Sequence, residues 1–169
     1  MSRPRIALLA LTVAGASVLT GCSSTVSMVP GDDANNPLCA ELMVRLPDTL
    51  SGEDRRWTDA QSTASWGTPS RILFTCGGDE PGPTTLRCEE VDGVDWVIDE
   101  SEAPHFRVTT YGRSPAVELY LDTSTDGGTG VSSRTVLDVI SPIVRQFIEP
   151  GRTCVPRTEA TPVPEPVEP

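Results

Sequence analysis

The sequence predicts an α+β fold: an antiparallel sheet of four or five strands, covered on one face by two helices and braced by disulfides. Three observations lead there. Apolar residues recur at helical spacing in two runs, one beginning at Leu38 and one at Val136. Between them, short β-favouring runs alternate with Gly-, Pro- and Asp-rich breaks. Four cysteines, Cys39, Cys76, Cys88 and Cys154, are spread through the same region.

The first helix starts at Asn36-Pro37, an N-cap followed by proline at the first helical position. Leu38, Leu42, Met43 and Leu46 fall on one face and Pro47 ends the run, giving about ten residues. Ser51 to Ser70 is polar apart from Trp57 and Trp66 and reads as irregular loop. Arg71 to Cys76 reads as strand, closed by Gly77-Gly78. Thr85–Val91 and Val94–Ile98 read as strand on either side of Asp92-Gly93, which makes either a tight turn or a bulge in one longer strand. His105–Tyr111 and Pro115–Leu121 alternate in hydropathy and are joined by Gly112-Arg113-Ser114, a hairpin pattern. Asp122 to Gly130 reads as a mobile, solvated loop, since its aspartates do not have the spacing of an EF-hand. Ser132 or Ser133 then caps a helix whose apolar face runs from Val136 to Ile148, and Pro142 within it is expected to kink or break it.

Ahead of the domain, Arg3 and Arg5 precede an apolar run from Ile6 to Leu19, the pattern of a secretory signal. The run is shorter than the roughly 20 residues a spanning helix needs. It ends in Leu19-Thr20-Gly21-Cys22, which resembles a bacterial lipobox: small residues enter the signal peptidase, cleavage falls between Gly21 and Cys22, and the Cys22 thiol carries the lipid. Two or more acyl chains hold a protein on a membrane where one does not. Residues 1–21 are therefore the signal peptide. Residues 22–35, poor in apolar residues, read as a flexible tether, and 36–155 as one α+β domain. Residues 156–169, with proline at nearly every second or third position, form a disordered tail.

Charge narrows the partners. The chain has 13 arginines, no lysine and 24 acidic residues. Loss of Arg3 and Arg5 with the leader leaves 11 against 24, a net charge of −13. Nucleic acid requires a basic footprint and is excluded as a partner. The domain is also not drawn to an anionic membrane by charge, which leaves that task to the lipid on Cys22. About 120 residues suffice for one core and are too few for two.

An exported chain makes disulfides the natural state of its four remaining cysteines, which permit three connectivities. With no CxxC pair and one histidine, no metal site and no cofactor is implied. Loop-closure entropy barely separates the pairings, at about 4 kcal/mol for a 37-residue loop and about 3 for the short Cys76–Cys88 loop. Cys39–Cys76 with Cys88–Cys154 is preferred because each bridge pins a helix, or the segment just after one, to a strand. Cys76–Cys88 with Cys39–Cys154 is a close second.

The segments "LCAELMVRLPDTLSGEDRR", "SWGTPSRILFTCGG", "EEVDGVDWVID" and "TTYGRSPAVELYL", in this order, resemble the actinobacterial lipoproteins grouped as domain of unknown function 3515. The resemblance covers Leu38 to Ile148. It implies, without the other two, a cysteine before the first helix and one at the end of the "RCG-like" strand, the places of Cys39 and Cys76, and so favours their pairing; "FTCGG" here departs mildly from the commoner "LRCG". It implies no activity and no catalytic residues.

His105 is the sole histidine and reads as an ordinary strand residue; no nucleophile motif or phosphate loop is present, so no catalytic residue is assigned. Plentiful carboxylates read as solvated surface. Large side chains next to glycine at loop edges, Trp66 beside Gly67 and Tyr111 and Arg113 around Gly112, are the candidate binding residues. Trp57 is a further aromatic candidate, and Trp96, between Val94 and Ile98, reads as core. The expected function is that of a non-enzymatic lipoprotein anchored at the extracytoplasmic face of the cell membrane. It binds an unidentified envelope protein or wall component, with a small ligand or glycan as the alternative.

Overall fold

A computed structural model describes residues 25–126 and 130–155. The leader, Gly21, Cys22 and the Pro-rich tail lie outside the described residues. The elements run α1 (Pro37–Met43), β1 (Thr49–Leu50), β2 (Glu53–Arg56), β3 (Thr63–Trp66), β4 (Ile72–Gly78), β5 (Arg87–Val91), β6 (Val94–Asp99), β7 (His105–Thr110), β8 (Ala116–Asp122) and α2 (Ser133–Phe147). One antiparallel sheet carries all eight strands in the order β1-β2-β3-β4-β8-β7-β6-β5. The α+β class and the two helices hold, but the sheet has eight strands where four or five were expected. The surplus comes from residues 49–66, read as loop.

Those strands escape hydropathy for a physical reason. β2 is Glu-Asp-Arg-Arg, with no apolar alternation, and is held by its ladder to β3, where Arg55 faces Trp66 and Arg56 faces Ser65. β3 is buried on both faces, so its "TASW" does not alternate either. β1 is only two residues long.

Elsewhere the caps and the tight turn act as expected, while α1 is shorter than expected, ending at Met43 and not at Pro47. The Asn36 side chain accepts the Leu38 N–H (3.0 Å) and starts α1 at Pro37. Asp92 and Gly93, at φ 49° and 79°, form the tight turn of the β5–β6 hairpin, as Asp-Gly in a primed turn requires. Ser132 caps α2 by accepting the Thr135 N–H (3.3 Å). Pro142 neither breaks nor divides α2, which runs unbroken to Phe147. The carbonyl that loses its partner belongs to Asp138, an exposed residue, where water can satisfy it.

Register sorts the sheet into two faces. Ile72 pairs with Leu121, Phe74 with Leu119, and Val108 with both Leu119 and Ile98; all are buried on the helix side. Against them pack Cys39 and Leu42 of α1, and Val136, Leu137, Ile140 and Val144 of α2. The Cys39–Cys76 disulfide ties α1 to β4, and Cys88–Cys154 ties β5 to the segment after α2. Leu73, Thr75, Arg107, Glu118 and Tyr120 occupy the opposite, open face.

Residues 25–35, read as a flexible tether, lie against the domain. Val26 makes a parallel bridge with Thr58, through the Val26 N–H to the Trp57 carbonyl (2.8 Å) and the Asp59 N–H to the Val26 carbonyl (3.2 Å). The segment then crosses the sheet end. The Asp33 N–H donates to the Gly77 carbonyl (2.9 Å), and the Ser62 hydroxyl to the Ala34 carbonyl (2.6 Å). Gly31 and Gly77 meet backbone to backbone: a Cβ on Gly31 would sit 2.5 Å from the Gly77 carbonyl carbon. Low hydropathy hid this segment because backbone groups and two glycines, not apolar side chains, hold it.

Candidate functional site

The three binding candidates do not converge. Trp66, at the end of β3, has no exposed surface; its indole N–H donates to the Pro47 carbonyl (3.0 Å). The Arg55 guanidinium lies 5.9 Å from the same ring and donates to the Leu46 (3.2 Å) and Met43 (3.5 Å) carbonyls, so it satisfies orphan carbonyls at and beyond the end of α1. Arg113 is 2% exposed. It donates to the Ile148 carbonyl and to the Gly93 carbonyl (2.7 Å), while its Nε has no partner among the described residues. Burial pushes its pKa down, opposed by Asp95 and Glu149. Tyr111 is half-buried, with the Arg152 guanidinium 5.5 Å from its ring. Register puts Trp66 at the Ile72–Leu121 end of the strands, and Tyr111 and Arg113 in the loop at the opposite end. Trp66 and Arg113 are framework, corrected here from surface candidates. Trp96 is core as read, its indole donating to the Ser141 hydroxyl (3.0 Å).

Trp57 is the tryptophan that faces outward, at 78% exposure. It leaves the end of β2 beside Val44, the 76%-exposed residue that caps α1. Between them opens a groove of about 610 Å³, walled by Ala40, Met43 and Val44 on one side and by Arg55, Trp57 and residues 60–63 on the other. Asp59, near it, has its carboxyl held below the usual 3.8 by the Met28 N–H and the Ser27 hydroxyl.

The open face of the sheet carries a second, shallower hollow of about 400 Å³, floored by β4, β7 and β8 and bordered by Ser27, Met28 and Val29. Its polar groups are mutually paired. Arg107 donates to Glu118 (2.8 Å) and stands 5.5 Å from the Tyr120 ring. The Tyr120 hydroxyl donates to Glu102 (3.1 Å), and partial burial together with Glu102 raises the phenol pKa. His105 stacks on Tyr120, with centroids 5.7 Å apart and rings within 11° of parallel. Its Nε2 lies 3.8 Å from Asp122, whose carboxyl is kept low first by Ser124 and then by Arg71 and His105. The sequence does not single out Tyr120 or His105 for binding, because strand alternation marks a facing and not a cluster.

Among the described residues, one group of three has metal-ligand spacing, Cys88, Asp95 and Cys154. The two sulfurs are joined to each other, and Asp95 accepts the Cys154 N–H (3.2 Å), so no thiolate is free to bind an ion.

Comparison with curated proteins finds no match, and comparison with solved structures finds none. A family match covers residues 5–150, which takes in the apolar run, Cys22 and the whole sheet and stops before the Pro-rich tail. The chain belongs to the family described as protein of unknown function DUF3515.

Proposed function

We propose that this chain is an exported lipoprotein, held at the extracytoplasmic face of the cell membrane through Cys22, that binds a protein or wall component of the envelope and catalyses no reaction. The observation that carries the reading is the lipobox Leu19-Thr20-Gly21-Cys22 placed directly ahead of a disulfide-bonded domain. Binding is favoured over catalysis by how the reactive groups are used. Four cysteines are spent in two bridges, and the sole histidine is stacked on Tyr120 beside Asp122.

The contact surface in this reading is the open sheet face around Arg107, Glu118 and Tyr120. Rigid central strands present an aromatic ring and an arginine there, the residue types that dominate binding energy. A glycan is the second reading, supported by the near-parallel His105–Tyr120 rings, on which a sugar face can stack. Photo-crosslinking from Tyr120 on intact cells tests both. A discrete protein adduct, or adducts to wall glycan, is the expected result. A Tyr120 probe that captures nothing, beside a control probe at exposed Arg134 that behaves identically, contradicts a binding role for this face.

A further inference from the structure

We infer that the Trp57 face of the domain rests on the bilayer, against the headgroup–acyl interface of the membrane that holds the anchor. The inference depends on acylation of Cys22, proposed above, and goes beyond it by fixing where the domain sits.

The argument starts from chain length. Val26 is fixed to Thr58, the residue after Trp57, by two backbone hydrogen bonds. Cys22 precedes Val26 by only four residues, a reach of at most about 14 Å. The headgroup layer on each side of the hydrocarbon core is itself about 5–8 Å thick. A lipid-bearing Cys22 therefore keeps the Val26–Thr58 edge within about 10 Å of the headgroup surface. A domain on a 14-residue flexible tether would not be so constrained; docking of residues 25–35 removes most of that slack.

The surface at this edge suits the position. Trp57 and Val44 are the two large apolar side chains exposed on either side of the groove, with Ala40 and Met43 on the Val44 wall. Tryptophan is the residue enriched at membrane–water interfaces, its ring in the apolar layer and its N–H toward water. Trp66 and Trp96, by contrast, have no exposed surface, so the exposure of Trp57 is particular to this edge.

Charge sets the orientation without supplying the attraction. Arg45 is paired with Glu41, and Arg55 is occupied by backbone carbonyls, while Asp48 and Asp59 stand nearby, so the patch is close to balanced. The exposed acids Glu90, Asp92, Glu100 and Glu102 belong to β5, β6 and their connections, at the far edge of the sheet. Eight strands at ~4.8 Å spacing put that edge about 34 Å from β1. Anionic headgroups are screened within ~8 Å, so the acidic edge projects clear of them. The occupant this patch fits is the neutral, apolar part of the interface, reached because the anchor brings it there.

Trp57 is also the reporter that tests the inference. The acylated full chain is reconstituted into phosphatidylethanolamine/phosphatidylglycerol vesicles carrying shallow nitroxide lipid, and tryptophan fluorescence is read with Trp57→Phe as the control for signal assignment. The expected result is nitroxide quenching that Trp57→Phe abolishes, together with an acrylamide quenching constant about threefold lower than in a lipid-free chain that begins at Ser23. Full acrylamide access in vesicles, with acylation of Cys22 verified by mass, overturns the inference and leaves the anchor reading standing. Protection from acrylamide in native membranes without nitroxide quenching overturns it too, in favour of a protein covering Trp57. Absence of any acyl group on Cys22 overturns both.

Discussion

Arg113 carries a formal charge into the interior with no carboxylate in contact among the described residues, and its fork spans two separate segments, the end of α2 at Ile148 and the β5–β6 turn at Gly93. Arg113→Ala would leave both carbonyls unpaired in a closed space and empty the volume of a long side chain. A loss of about 2–4 kcal/mol is expected in urea unfolding. Arg113→Lys should recover little of it, because a point ammonium cannot reproduce the planar fork. A variant within 0.5 kcal/mol of the parent, roughly the scatter of a surface substitution, would show the clamp to be idle. Large side chains beside glycine at loop edges suggested exposure for Trp66 and Arg113, and both are buried. What covers them is not local: Trp66 is enclosed by β2, β4 and the Pro47 segment, and Arg113 by a helix end 35 residues downstream. Trp57 has nothing in its immediate sequence, "RRWTD", to mark it off from Trp66, "ASWGT"; only the fold separates the exposed ring from the buried one.

At the level of elements, docking of the N-terminal segment depends on the ionised carboxylate of Asp59. Asp59 accepts the Met28 N–H (2.9 Å), and its carboxyl titrates below the ordinary 3.8. A carboxyl lowered in the docked state stabilises docking above pH 3.8, and that contribution disappears as pH falls through the lowered value. Amide exchange at Met28, and at its neighbours to Ala34, should therefore quicken relative to the β4 core as the solution passes below about pH 4, and Asp59→Asn should show faster exchange already at pH 7. Equal exchange in the variant and the parent at pH 7 would mean that the backbone bridge and the Gly31–Gly77 contact suffice alone. The capped helices and the β5–β6 and β7–β8 hairpins were legible because their determinants are local: Asn36, Ser132, Asp92-Gly93 and strict alternation. β1, β2 and the crossing segment were not: β1 is two residues long, Glu-Asp-Arg-Arg has no period to detect, and the crossing segment is held by contacts to Thr58, Ser62 and Gly77, distant in sequence.

On the scale of the whole molecule, one eight-stranded sheet carries two cross-links: Cys39–Cys76, buried between α1 and the central strand β4, and Cys88–Cys154, half-buried at the β5 edge. They enclose 37 and 66 residues, and each contributes about 4 kcal/mol by restricting the unfolded chain. A chain so cross-linked is suited to an oxidising compartment, and the net charge of −13 that the proposed cleavage would leave does not itself draw the domain to an anionic membrane. The proposed division of labour follows: lipid on Cys22 for attachment, the Trp57 edge for seating, and the open sheet face for a partner. All of it begins with Cys22. The decisive measurement is the mass of the N-terminal peptide from chain extracted out of cell membranes with detergent. The account predicts a chain that starts at Cys22 and bears diacylglycerol on its thiol; a free Cys22 thiol, or a chain that retains residues 1–21 with no lipid, would contradict it.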